Sequence, residues 1–373
     1  MGLLVLALLA WGARPADGAE PSPAASPARI EPFRSAEVCR PCHPSIYEEW
    51  RQSAMARSPE LARWSLEASL DALAWTDEEE RIRELCYACH APLARTAGKL
   101  DLSTSPHDEG VSCDYCHSLR DVEVSPRINV ARVEPGDVKV GPHADALSTG
   151  HATLASPLIR RSEFCAGCHY FAWPTNGMPV DWTYAQWAES PYRSEGVQCQ
   201  DCHMPKRPGR ASSEPGVPDR GGVASHRFLG ARDLPTLRGA LDLRARRDGG
   251  TAVIEVENVG AGHSIPGGGG ELRELELRVV REGVPEPHAV RRYSIHYFDD
   301  EGERVSSTDD EAVRFEDTTI RARETRVERI ALPADAAARV ELWFWYASEE
   351  VADRDGGEPE SVLVATRKLP ATD

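Results

Sequence analysis

The sequence is short of positive charge, of methionine and of long apolar runs, and each shortage removes a class of function. Asp and Glu outnumber Lys and Arg by 60 to 43, a net charge of −17. Such a surface repels polynucleotides and anionic lipid, so neither is an expected partner. The longest apolar run, Leu3 to Trp11, falls well below the roughly 20 residues that a spanning helix needs. No later segment is more apolar, so no integral membrane segment is expected. Methionine occurs four times, which limits thioether chemistry to Met55, Met178 and Met204 beyond Met1. Cysteine is absent outside one repeated motif, leaving no thiol near the N terminus to carry a lipid.

What the first residues do contain fits an export signal. The run Leu3 to Trp11 has the length of a signal-peptide core, and Ala16-Asp17-Gly18 is a tolerable cleavage site, although no Lys or Arg precedes the run. Residues 1–18 are expected to be a signal peptide and 19–35 a flexible Pro/Ala-rich leader. The mature protein is expected in the periplasm or outside the cell.

All ten cysteines fall in five copies of one pattern: CRPCH (Cys39, Cys42, His43), CYACH (Cys86, Cys89, His90), CDYCH (Cys113, Cys116, His117), CAGCH (Cys165, Cys168, His169) and CQDCH (Cys199, Cys202, His203). Each is a c-type haem attachment sequence. Two thiols three positions apart can add to the two vinyl groups of one porphyrin, and the adjacent histidine then swings under the iron as proximal ligand. Zinc ribbons use CxxC pairs two at a time, and five is odd. A disulfide framework has no reason to follow every second cysteine with histidine. Five covalently bound haem c groups are therefore expected as cofactors.

Around the motifs the periodic segments read as helices. Pro44 suits the first turn of PSIYEEWRQSAMARS, in which Ile46, Tyr47, Trp50 and Ala54 share a face. ELARWSLEASLDALAW repeats the pattern, and EERIRELCYACH runs along one stripe into a motif. From about Leu241 the period changes to two, in TAVIEVEN, ELRELELRV and ARVELWFWY. The expected fold is α+β. A mainly helical, loop-rich pentahaem cytochrome domain (36–235) precedes a small β-sandwich domain (236–373) that holds no cysteine.

Each haem iron has one further axial position, and its occupant separates electron transfer from catalysis. Seven histidines lie outside the motifs: His107, His143, His151, His226, His263, His288 and His296. The stretch NVGAGHSIPGGGG, Asn258 to Gly270, lacks the GK[ST] of a phosphate loop, and a strand follows it instead of a helix. Its glycines let a bare backbone approach a flat porphyrin, with His263 donating to iron. The alternative is a histidine that merely satisfies a turn.

The segments EGVSCDYCH, EGVQCQDCHMP, SHRFLG and GHSIPGG, with VCRPCHPSIYEEWRQSAMARS, resemble the multihaem family around cytochrome c554. The resemblance covers roughly Ala36 to Gly270. It implies electron transfer through closely stacked haems, and distal ligands at His263, His226 and His151. The sequence departs from the family at Met55, where many relatives have histidine, and in carrying five motifs instead of four. A Met55 thioether on iron would raise that haem's potential; otherwise Met55 packs within its helix. His107 and His143 compete for the remaining position, each with surface exposure as the alternative. His288 and His296 read as solvated.

A structural role, as a subunit of a larger complex or extracellular polymer with the β-domain as docking module, stands beside two redox functions. One is an electron carrier between redox partner proteins, by itself or within a membrane-associated or multi-subunit complex. The other is a nitrite- or hydroxylamine-type oxidoreductase acting at one five-coordinate haem. The CxxCK variant that marks the catalytic haem of pentahaem nitrite reductases is absent. The carrier is preferred, with no catalytic residue assigned.

Overall fold

A computed structural model describes residues 32–61, 78–99, 102–128, 130–268 and 270–371. The expected signal, most of the leader and the bulk of the Leu-rich segment after Leu61 lie outside these residues. Among the described residues no helix is long and apolar enough to cross a membrane. The chain from Pro32 onward packs as one unit. Phe33, expected in the leader, is 2% exposed and tilts its ring against Tyr115 at 6.3 Å, so the folded part starts earlier than composition implies.

The first half is made of short helices and small two-stranded pairings. Pro44 does start a helix, Pro44–Arg51, and its Tyr47 and Trp50 are buried. The Trp50 indole donates to the Val111 carbonyl at 2.9 Å, fixing that helix beside the loop before the third motif. Glu78–His90 is the helix expected to run into the second motif. The third, fourth and fifth motifs sit on the helical turns Cys113–Cys116, Glu163–His169 and Cys199–His203. The first closes a turn of its own, with the His43 amide bonded to the Cys39 carbonyl at 2.9 Å. Helical geometry explains the motif, because positions i, i+3 and i+4 share one face. Both thiols and the imidazole thus emerge on the same side. The apolar clusters here are small: Tyr87, Ala91, Ala94 and Trp173 form one, and Ala36, Tyr47 and Trp50 another.

The second half is antiparallel sheet. Strand Thr251–Asn258 lies between Leu241–Asp248 and Thr325–Ala331. A four-stranded sheet runs Ala289–Tyr293, Glu274–Arg281, Ala338–Ala347, Glu360–Leu369. Leu243, Ile254, Leu275, Leu277, Val340, Leu342 and Phe344, from both sheets, fill one core at 1% exposure or less. Alternation places Glu274, Glu276 and Arg278 on the other face of their strand, yet Glu276 is only 1% exposed and binds Arg278 and, at 3.0 Å, Arg292.

Side chains from both halves meet. Asn176 Nδ2 donates to the carbonyls of Ser307 (3.0 Å) and Asp309 (2.7 Å), and Arg323 forms a two-pronged ion pair with Glu195 at 2.6 Å per bond. The Tyr297 hydroxyl donates to Pro179 O, and Met178 packs against Ile295, Tyr297 and Ala312.

Candidate haem sites

The ten thiols are all unpaired, nine half-buried and Cys202 exposed. Motifs distant in sequence are neighbours in space. Cys113 is pushed well up from the usual thiol pKa by hydrogen bonding with Cys39, and burial adds to this. Cys165 is raised in the same way by Cys199. Cys89 Sγ lies 3.9 Å from the Cys168 carbonyl. Burial, then the nearby Cys168, pushes Cys116 up to about 12. The first motif therefore lies by the third, and the fourth by the second, third and fifth. The fifth is bolted to the turn before the fourth: the Cys199 amide donates to Ser162 Oγ at 3.0 Å, and Gln200 Nε2 donates to the Ile159 and Arg161 carbonyls at 3.2 and 2.8 Å.

Three of the motif histidines each face a second histidine. Ring centres are 6.4 Å apart for His43 and His151, 6.5 Å for His117 and His226, and 6.2 Å for His203 and His263, with interplanar angles of 29°, 20° and 12°. Two imidazoles on one metal have ring centres about 6 Å apart, since each Nε2 sits about 2 Å from the metal and the ring centre about 1 Å further. The separations fit a shared iron.

The second nitrogen of each ring agrees. Nδ1 of His43 lies 2.6 Å from Ala211 O, that of His117 2.6 Å from Val140 O, and that of His203 against Leu229 O. On the facing side, Nδ1 of His151 is 3.0 Å from Ala152 O, of His226 3.0 Å from Ala224 O, and of His263 2.8 Å from Ser264 O. A carbonyl only accepts, so all six rings carry a proton on Nδ1, which leaves Nε2 as the nitrogen for a metal, the arrangement of metal-bound histidines. Burial lowers His117 and His203 and takes His226 and His263 down to about 4, so these imidazoles are neutral.

The loop bearing His263 is held from both ends. Asn258 Nδ2 donates to His263 O at 2.8 Å and to Ile320 O at 3.1 Å, while its Oδ1 accepts from the Ala261 amide at 3.0 Å. A Cβ on Gly267 would sit 2.7 Å from His263 Nδ1, and one on Gly260 2.8 Å from Gly239 O. These glycines make room for the histidine ring and for a crossing of backbones, a reason the sequence reading did not give.

The other two motif histidines have different surroundings. His90 is lowered by burial, opposed by a hydrogen bond with the Ser58 backbone. His169 Nδ1 lies 3.0 Å from a carboxylate, Asp181 Oδ2. Burial pulls His169 down, but the charge and hydrogen bond of Asp181 outweigh it and raise the group to about 9. Arg273 is half-buried nearby, its Nη1 donating to Gly267 O at 2.8 Å.

Of the remaining candidates, His107 is 3% exposed, in the loop before the third motif. His143 is half-exposed, lowered by burial and by Arg220 and Arg160. Met55 is half-buried, and its carbonyl accepts from the Val111 amide at 3.0 Å. His288 is exposed, as expected. His296 is half-buried, with Nδ1 2.7 Å from Arg304 Nη2, so the pattern that read as solvated is partly covered by its neighbouring strand.

Residues 38–118 match the family described as cytochrome c554 and c-prime. The match holds the first three motifs and covers less than a quarter of the chain. The chain is also similar in fold to a penta-heme cytochrome c552 from Thermochromatium tepidum. The TM-score is 0.71 at 21% identity, over 91% of this chain and 99% of that one. A PapD-like domain of human CEP192 aligns with 36% of the chain and 86% of its own length at 8% identity, but its TM-score of 0.14 carries no structural argument. No curated protein matches the chain. The partial family match and the shared fold together support covalently bound haem c and electron transfer in general.

Sequence reasoning missed the carbonyls of Ala211, Val140 and Leu229, and it missed Asp181. Backbone acceptors leave no trace in a sequence. Asp181 lies twelve positions after His169 in PVDWTY, and only strand pairing, Phe171 opposite Asp181, shows the two to be close.

Proposed function

We propose that this protein is a multihaem c-type cytochrome, an exported electron carrier with five covalently bound haems, most of them ligated by two histidines, passing electrons between redox partner proteins. The observation that supports this best is the trio of facing imidazoles, each ring with its Nδ1 against a backbone carbonyl. In this reading the five cysteine pairs anchor the porphyrins. His43 with His151, His117 with His226 and His203 with His263 complete three of the irons. Haem so ligated supplies one-electron chemistry with no position open to substrate. The chain's part is to hold each imidazole in one tautomer and one orientation, so that little moves between oxidation states. The adjacency of the motifs supports a contiguous run of haems from first to third to fourth, with second and fifth both beside the fourth. Met55, His107 and His143 remain candidates for the irons over His90 and His169. A separate β-domain from 236 onward, lending His263 to the haem half, belongs to the same reading. The solved structure of similar fold is described as penta-heme, which agrees with the five motifs.

The test is the EPR spectrum of the oxidised protein, its haem count established by mass, with and without nitrite, hydroxylamine and cyanide. Low-spin signals indifferent to all three are expected. A high-spin signal that shifts with one of them would replace the carrier by an oxidoreductase acting at an open haem.

A further inference from the structure

The fourth motif differs from the first, third and fifth at the atom that its histidine's Nδ1 meets. His43, His117 and His203 meet neutral carbonyls, whereas His169 meets Asp181 Oδ2 at 3.0 Å. The arrangement is built. Strand Pro179–Asp181 pairs with Phe171–Ala172, two residues beyond His169, and the Thr183 amide donates to Asp181 Oδ1 at 3.0 Å. The Asp181 side chain is 17% exposed, so water screens it only partly.

We infer that Asp181 is a positioning residue that makes His169 the most electron-donating of these proximal ligands and so sets the fourth haem's potential below those of the first, third and fifth. The inference rests on the proposed role of His169 as an iron ligand. A carboxylate that accepts the Nδ1 proton draws it away from the ring, and the imidazole gains imidazolate character. Ligand basicity at Nε2 rises, as in other carboxylate–histidine–metal arrangements. The added negative charge favours the ferric ion, with its extra positive charge, over the ferrous. Since the fourth motif neighbours the second, third and fifth, the lowered potential falls at the junction of the run. Electrons would cross that junction and come to rest elsewhere, and it would be the last of these positions to become reduced and the first to be reoxidised.

The experiment is a spectroscopic redox titration of the whole haem-loaded protein and its Asp181→Asn variant. Asn keeps a hydrogen-bond acceptor but offers a neutral carbonyl, as the first, third and fifth motifs do. At a fixed potential the reduced-to-oxidised ratio of one haem should rise about tenfold, 59 mV for a one-electron couple, with the others unchanged. Unchanged potentials with full haem content overturn the inference, and so does an equal shift of every haem, which would signal long-range charge alone. Peptide masses of the unsubstituted protein check the underlying reading separately: Cys165 and Cys168 without haem would remove it and the inference together. If Asp181→Asn does not mature, Asp181→Glu, which keeps the charge and alters its reach, should shift the same single haem by less. No single-haem shift there also overturns the inference.

Discussion

A histidine becomes a well-directed iron ligand when its second nitrogen is already engaged, and six rings here meet that condition through backbone carbonyls. The cost of disturbing one is clearest at Gly267, where a methyl group would stand 2.9 Å from His263 Cε1. Gly267→Ala is expected to push the ring off axis and turn one low-spin haem high-spin, as His263→Ala should, with covalent haem content unchanged by mass. A low-spin spectrum in both variants would mean that His263 only satisfies a turn. The contrast between CxxCH and its distant partners shows what a sequence can carry at this scale. The motif states its thiols and proximal ligand within five adjacent residues. His151 and His226 stand 108 and 109 positions from the rings they face, and the family resemblance marked them without pairing them. Asp181 carried no mark at all.

At the scale of elements, period and punctuation located the helix Pro44–Arg51, the helix Glu78–His90 and the strands after Leu241, because local burial patterns decide them. They could not show that the polar face of strand Glu274–Arg281 is covered. Burial raises Glu274 to about 7 even though Arg292 lies 3.1 Å away. The sign follows from linkage. A carboxyl whose folded pKa exceeds its unfolded one binds protons better when folded, so its contribution is full below the unfolded value near 4.5 and fades as pH rises through 7. Between pH 5 and 8 the denaturant midpoint of the native protein should fall, and Glu274→Gln should flatten that slope. A slope unaltered by the substitution would assign the pH dependence to other groups.

Over the whole molecule, a net charge of −17 predicts how partners arrive. Reduction by a small cationic complex should slow as ionic strength rises, because screening removes the attraction. An anionic reductant of similar potential should speed up. Equal salt response for both would mean that the site of electron entry carries no net field. A basic face on the donor or acceptor is the natural complement to such a surface.

The three histidine pairs also have a mechanical meaning. Once each pair shares an iron, residues 43 and 151, 117 and 226, and 203 and 263 are joined, and these spans overlap: the second opens before the first closes, and the third before the second closes. Coordination then acts like a row of interlocking stitches in a half of the chain with little apolar core to hold it. In the chain-entropy treatment of cross-links, tying off a loop of about 100 residues is worth up to about 4.7 kcal/mol. The last stitch takes its thread from the sheet half, so a chain cut short before residue 263 would leave the row unfastened and betray itself by the spin state of its fifth haem.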